Sequence, residues 1–184
     1  WVPWMRRVLH LASLAYGQTS PNPLVGAVIL DSDQRLVGEG YHSLAGQPHA
    51  EIEAMSQAGI SAKGGTLLVN LEPCCHQGRT PPCTTAILES GISRVVIAMN
   101  DPDPRVSGKG VSLLRDAGLE VITGVLEEEA NLINRAFVFR NRTGRPWGIL
   151  KWAMSFDGRT GLPNGSSKWI SCSESRRNVH YLRS

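Results

Sequence analysis

The sequence predicts an α/β fold, a three-layer α/β/α sandwich built on one mixed sheet with helices on both faces. Two observations carry this. From residue 60 onward, short apolar runs alternate with helical patterns, which calls for crossover connections and parallel strands. Before that, two apolar stretches at 24–30 and 35–41 are joined around Asp31-Ser32-Asp33, a link short enough for an antiparallel pair. A third observation sets a boundary. Arg142-Thr143-Gly144-Arg145-Pro146 reads as a linker, so residues 1–144 form one domain and 145–184 begin another.

The elements follow in order. Residues 5–16 place Val8, Leu9, Leu11, Ala12, Leu14 and Ala15 at helical spacing, with Gly17 as the stop. Ser20-Pro21-Asn22-Pro23 is a turn, and the two antiparallel strands come next. Residues 49–58 read as a helix stopped by Gly59. Residues 65–71 are a buried strand, 72–82 a loop rich in Pro and Gly, and 84–90 a helix stopped by Gly91. Residues 94–99 form a further apolar strand, and Asp101-Pro102-Asp103-Pro104 opens a long loop. A helix at 109–117, a strand at 119–123 and a single helix at 127–141 complete the first domain. Residues 147–154 read as the opening strand of the second, whose forty residues are too few to fold alone.

Bulk composition narrows the function classes. The hydrophobic share of 41% is ordinary for a globular chain. No apolar run reaches the ~18 residues of a membrane span, so no membrane partner is expected. The net charge of +3 is unevenly spread. Residues 1–144 hold 12 Lys and Arg against 14 Asp and Glu, whereas 145–184 hold 7 against 2. The larger domain is therefore no polyanion binder, and nucleic acid is not an expected partner. Nothing marks a secretory leader at Trp1-Val2-Pro3-Trp4, and Met5 is a candidate native start. Three of the four cysteines, Cys74, Cys75 and Cys83, crowd into ten residues, a pattern that points to metal or catalysis more than to disulfides.

The chemistry concentrates in two segments. His49-Ala50-Glu51 opens one helix; Pro73-Cys74 and, eight residues later, Pro82-Cys83 lead into another. One imidazole and two thiolates make a three-ligand zinc set that leaves a tetrahedral position for water, as catalytic sites do. Zinc brings the pKa of such a water near neutrality, and a carboxylate beside it can carry the proton. Glu51, two residues from His49, fits that role. The zinc-deaminase signature is His-x-Glu followed by Pro-Cys with a second Cys two residues on. Here the intervening stretch is eight residues, 75–82, and supplies His76, Arg79 and Thr80, which could clasp an anionic, hydroxyl-rich substrate tail.

Blander readings stand beside this one. His-x-Glu alone is common. A structural zinc site would recruit His76 or Cys75 as a fourth ligand, making the chain a zinc-stabilised interaction module. Cys75 reads as a packed or loop-facing thiol and Cys172 as an ordinary residue. A deaminase acting on tRNA would want a basic surface and the short cysteine spacing, and this chain has neither.

Longer motifs carry a resemblance. Residues 19–29 (Thr-Ser-Pro-Asn-Pro-Leu-Val-Gly-Ala-Val-Ile), Gly38-Glu39-Gly40-Tyr41-His42, 46–51 (Gly-Gln-Pro-His-Ala-Glu), 71–83 (Leu-Glu-Pro-Cys-Cys-His-Gln-Gly-Arg-Thr-Pro-Pro-Cys) and 101–110 resemble the bifunctional riboflavin-biosynthesis deaminase–reductases of bacteria and plants. The resemblance covers nearly the whole chain. It implies a cytidine-deaminase-like fold and a small-molecule substrate, 2,5-diamino-6-hydroxy-4-(5-phosphoribosylamino)pyrimidine, deaminated to the 5-aminouracil and ammonia. It implies zinc on His49, Cys74 and Cys83, Glu51 as proton carrier, and a substrate site lined by Asn22, His42, His76, Arg79 and Thr80. Residues 151–160 and 166–170 resemble the start of an NADPH-dependent, dihydrofolate-reductase-like domain, in which Lys151, Ser167, Trp169 and Arg183 would touch substrate or cofactor. Reduction with NADPH is thus implied for the parent protein and not for this chain. The family reading also implies a cytoplasmic protein, or a plastid one in a plant, and is compatible with a homo-oligomer.

Overall fold

The structure, a computed structural model, describes residues 1–76, 81–104 and 106–183. Arg79 and Thr80, expected at the substrate site, lie outside the described residues. The chain divides into two compact units, Trp1–Trp147 and Gly148–Ser184.

The first unit is built on a five-stranded sheet. Its strands are β1 (Gly26–Leu30), β2 (Leu36–Tyr41), β3 (Thr66–Leu71), β4 (Arg94–Met99) and β5 (Glu120–Thr123), in the order β2-β1-β3-β4-β5. β1 runs antiparallel to both β2 and β3, while β3, β4 and β5 are parallel. The short link between β1 and β2 is held by Asp31, whose Oδ1 accepts from the backbone N–H of Asp33 and of Arg35.

Strand periodicity divides the core. Side chains two apart share a face. Ala27, Ile29, Leu67, Val69, Val95 and Ile97 face one layer, with α2 (Ala50–Ala58), α3 (Cys83–Glu89) and α4 (Lys109–Asp116) packed over them. Val28, Leu30, Leu68, Val96 and Ala98 face the other, under α1 (Val2–Ser13), α5 (Glu127–Ile133) and α6 (Arg135–Thr143). β1, β3 and β4 are thus buried on both faces and read as mostly apolar runs, Asn70 of β3 being buried with its side chain bonded to the Gly26 N–H and the Leu24 carbonyl.

α1 begins three residues before its expected start because Pro3 suits a first helical turn, where no N–H is needed. The single helix expected at 127–141 is two helices, broken at Asn134. The Asn134 side chain turns from its own helix to Leu24, accepting from the Leu24 N–H at 2.8 Å and donating to its carbonyl at 2.9 Å. Asn134 is almost wholly buried there. The backbone N–H and carbonyl of Asn134 still bond to Ala130 and Val138, so the two helices meet at Asn134 with the helical bonds on either side intact.

α2 lies unusually close to β2. A side chain at Gly38 would come within 2.3 Å of the Ala54 carbonyl, and one at Gly40 within 2.5 Å of the Glu53 Cβ. Only glycine permits that approach, and it fixes the start of α2, with His49 and Glu51, against the sheet.

Among the described residues the second unit contains one helix, α7 (Ser173–Tyr181), which lacks the apolar stripe that would mark it in the sequence. Its start follows Cys172, with Glu174 in the first turn, where negative charge is favoured. The strand expected at 147–154 is absent: no described residue of this unit offers a strand to pair with it. Leu150, Trp152, Phe156 and Trp169 are exposed. Among the described residues, no helix is long and apolar enough to cross a membrane.

Candidate metal and catalytic site

Three chain segments meet at one end of the sheet. His49 occupies the cap position before α2, in extended conformation, and Glu51 follows inside the first turn. Cys74 comes just after the last residues of β3, and Cys83 is the first residue of α3. The Cys83 N–H donates to the Cys74 sulfur at 3.3 Å, and Thr84 N–H donates to the Cys74 carbonyl at 3.2 Å. The start of α3 is thereby folded onto the end of β3, which brings together cysteines nine positions apart.

The resulting donor set is compact. His49 Nδ1 lies 3.2 Å from Cys83 Sγ and 3.8 Å from Cys74 Sγ. All three donor atoms lie within 4.8 Å of one another. Zinc–nitrogen and zinc–sulfur bonds of ordinary length imply donor separations of about 3.5–3.8 Å around a tetrahedral ion, so the set fits zinc. Neither Cys75 nor His76 belongs to this donor group, so among the described residues it has three members, not four.

The three donors are close enough to compete for protons. Cys74 is drawn down to about 4, chiefly by hydrogen bonding to the Cys83 thiol, against the cost of burial and with help from His49. Cys83 is pushed up by its bond to Cys74 and by burial. Hydrogen bonding to Cys74 raises His49, with burial opposing. Two thiols and an imidazole competing for protons at this range suit a dication that would relieve all three. Beside them Glu51 is 4% exposed, and burial raises its pKa above the usual carboxylate range.

His42 organises the neighbouring wall. Its Nδ1 lies 3.0 Å from the Pro48 carbonyl, which can only accept, so Nδ1 carries the proton. Nε2 then accepts from the Asn22 amide at 3.0 Å. The His42 ring also stands edge-on to His49, centroids 5.6 Å apart. Both His42 nitrogens are thus engaged within the protein, holding Asn22 in place and fixing the segment that leads into His49. His76 is half-buried, and its Nδ1 has no hydrogen-bond partner among the described residues.

These residues line a cleft of about 800 Å³ that includes Asn22, His42, His49, Glu51, Cys74 and His76. Lys151, Ser167, Trp169 and Arg183 belong to the other unit, and all are exposed. No hydrogen bond or ion pair joins any two of those four; Trp169 instead lies under the Arg176 guanidinium at 4.1 Å.

Other residues of the cleft carried no signal of their own in the sequence. Glu72 is buried, and its carboxylate accepts from the N–H groups of Asp101, Gly108 and Val111 at 3.1, 2.9 and 3.1 Å. It ties the loop after β4, and the start of α4, to the residue two before Cys74. Gly110 must be glycine for this closure, since a side chain there would come within 2.3 Å of the Pro73 carbonyl. Asp101, also in the cleft, is raised by burial to about 6. Phe137, Arg140 and Asn141 of α6 complete the lining. An acid beside a proline or a charged residue on a helix reads as surface in a sequence, and only folding reveals the exceptions.

Known proteins share this architecture and these segments. Residues 2–99 match the cytidine and deoxycytidylate deaminase zinc-binding region, and residues 146–184 match the RibD C-terminal domain. The riboflavin biosynthesis protein RibD of Synechocystis is 56% identical over 180 residues, which is 98% of this chain and 49% of the relative. That of Escherichia coli is 48% identical over 98% of this chain and 49% of its own length. The chloroplastic riboflavin biosynthesis protein PYRD of Arabidopsis thaliana is 49% identical over 83% of this chain and 35% of its own. Among solved structures, Acinetobacter baumannii RibD superposes with a TM-score of 0.92 at 48% identity, covering 98% of this chain and 51% of that one. A Thermotoga maritima diaminohydroxyphosphoribosylaminopyrimidine deaminase/5-amino-6-(5-phosphoribosylamino)uracil reductase gives 0.93 at 45% identity, covering 98% and 52%. The chain thus spans about half the length of the RibD relatives and about a third of the chloroplastic one. With its zinc-binding deaminase segment, the chain belongs to the cytidine and deoxycytidylate deaminase family, and over 98% of its length it is similar to RibD proteins.

Proposed function

We propose that this chain hydrolyses the 2-amino group of 2,5-diamino-6-hydroxy-4-(5-phosphoribosylamino)pyrimidine, giving 5-amino-6-(5-phosphoribosylamino)uracil and ammonia. The observation that carries the reading is a three-donor cluster beside a buried carboxyl in a cleft. His49, Cys74 and Cys83 would hold zinc. The chemistry zinc supplies when bound is acidification of a water, which hydrolytic attack on a ring carbon at neutral pH requires.

Glu51 moves the protons. As a carboxylate it accepts one proton from the attacking water and gives it to the ring nitrogen; it then accepts the second from the hydroxyl now on the ring carbon and gives it to the departing amine. Burial favours the protonated intermediate of that cycle, so Glu51 is poised to receive and hold a proton between steps. Water adds across the ring C=N bond and ammonia leaves, so the carboxyl ends the cycle unchanged. Asn22, placed by His42, together with His76, would orient the heterocycle. Arg79 and Thr80 would take the sugar-phosphate side. In the parent protein, Lys151, Ser167, Trp169 and Arg183 would belong to a reductase using NADPH on the product. The domain boundary we infer lies at 144–145, and the cleft's abundance of carboxylates favours a small-molecule substrate over nucleic acid.

Mass-spectrometric detection of ammonia release from the diaminopyrimidine, before and after metal chelation, tests the proposal. Turnover that stops with chelation and returns with zinc supports it. Turnover indifferent to chelation would refute the metal assignment, and its absence in zinc-loaded protein would refute the activity.

A further inference from the structure

α6 contributes a wall to the cleft that no sequence motif announced. Phe137, Arg140, Asn141 and Gly144 all line it. Their spacing of three, four and seven residues places them on a single helical face. Phe137 packs partly into the core below α1, and the Asn141 amide donates to the Phe137 carbonyl at 3.0 Å. The face is therefore anchored at one end and polar at the other.

Arg140, like Arg142 beside it in α6, has no side-chain partner among the described residues, but Arg140 lines the cleft while other arginines are engaged elsewhere. Arg7 pairs with Glu39, Arg94 with Glu120, and Arg135 lies over the Trp147 ring. The Arg140 side chain is exposed and has no hydrogen bond, ion pair or ring contact among the described residues. Yet it borders a cleft whose other charged linings, among the described residues, are the acids Glu51, Glu72, Asp101 and Asp103 alongside histidines. An anion entering that cleft meets repulsion unless a fixed cation offsets it. A guanidinium, always charged and able to give two parallel N–H bonds, suits a phosphate.

We infer that Arg140, on the α6 wall of the cleft, is an anion-recognising residue that selects substrates carrying a phosphate on the tail of the heterocycle. The inference rests on the proposed deaminase reading for the identity of the heterocycle, but its ligand chemistry, a sugar phosphate, can be tested apart from it. The competing role for Arg140 is a purely structural one. It sits in the last turn of α6, where a cation offsets the helix dipole. That role would alter helix stability and treat all ligands alike.

The test has two arms. In the first, wild type, Arg140→Ala and Arg140→Lys are titrated with ribose 5-phosphate and with ribose by calorimetry. Losing a charge-assisted bond should weaken ribose 5-phosphate binding about 10- to 100-fold in Arg140→Ala, with Arg140→Lys between the two. In the second, kcat/KM is measured on the phosphoribosyl diaminopyrimidine and on its dephosphorylated form. Arg140→Ala should lose about 10- to 100-fold on the first, mostly through KM, and less than about threefold on the second. Wild type that binds ribose 5-phosphate through Arg140 but deaminates neither compound would leave the subsite standing and remove the proposed activity. An equal loss on both compounds, or unchanged sugar-phosphate binding in Arg140→Ala, would overturn the role of Arg140 and leave the deaminase reading intact.

Discussion

Glu51 is a carboxyl held where a carboxylate is poorly solvated, and its whole value lies in that misfit. Replacing it by Gln keeps size and polarity but removes the proton. Glu51→Gln should retain the fold and the metal while turnover falls by at least ~10²–10⁴-fold, the usual contribution of a general acid–base group. Activity within tenfold of wild type would assign the proton transfers elsewhere. The cysteines separate by geometry in the same way. Cys83 is buried within the donor set and Cys75 lies outside it. Cys83→Ala should strip the zinc, as read by metal analysis of the purified protein, whereas Cys75→Ser should keep it. Loss of metal from both would point to a four-ligand structural site.

At the scale of elements, the site depends on how loops are fastened to the ends of strands. Glu72 is the chief fastener, because three backbone N–H groups from the loop after β4 and from α4 converge on one carboxylate. Removing it leaves buried donors without partners, at about 1–3 kcal/mol each. Glu72→Ala should therefore lower stability by about 3 kcal/mol or more and loosen the wall formed by Asp101, Asp103 and Val106. Glu72→Gln, which keeps one oxygen to accept from Asp101 and Gly108 but loses the acceptor for Val111, should cost less than Glu72→Ala. Denaturant unfolding of the two variants checks this; equal stability of Glu72→Ala and wild type would show that the three bonds are replaced by water. Asn134 does similar work between α5 and α6: its backbone keeps helical bonds to Ala130 and Val138 while its side chain makes two bonds to Leu24, seating the turn that carries Asn22.

At the scale of the molecule, the first unit has a complete sheet and two buried layers, and the second has one helix and exposed aromatic and aliphatic side chains. A dinucleotide crevice needs a sheet to shape it, so this chain is expected to consume no NADPH when given the deaminated product. Absorbance at the NADPH band is the readout, and consumption at a rate comparable with deamination would contradict it. Global stability should also respond to pH through Asp101. Its folded pKa, raised by burial to about 6 from an ordinary 3.8, means the fold favours the protonated carboxyl. That contribution is fully present below about pH 4 and is lost as pH rises through 6. Asp101→Asn cannot ionise yet can still accept from the Asp103 N–H. Its melting temperature relative to wild type should therefore be more favourable at pH 7.5 than at pH 4.5. A difference that does not change with pH would remove Asp101 from the balance.

The sequence by itself determined the strand and helix alternation, the antiparallel opening pair and the segments that would meet. Those are local properties: periodicity records which face is buried, and His-Ala-Glu, Pro-Cys and Pro-Cys record chemistry that few other arrangements use. It misjudged the helix through Asn134 and the strand at 147–154, because each depends on a partner remote in the chain or absent from the unit. Tertiary structure alone decided that Cys74 would receive the Cys83 N–H, that His42 would spend both nitrogens on Asn22 and Pro48, and that Glu72 would be buried as a fastener. It also decided that Arg140, one of many charged helix residues in the sequence, would stand at the cleft. Burial and hydrogen-bond partners are set by what the folded chain brings within a few ångströms, and a linear pattern carries that information only where the partners are neighbours in sequence.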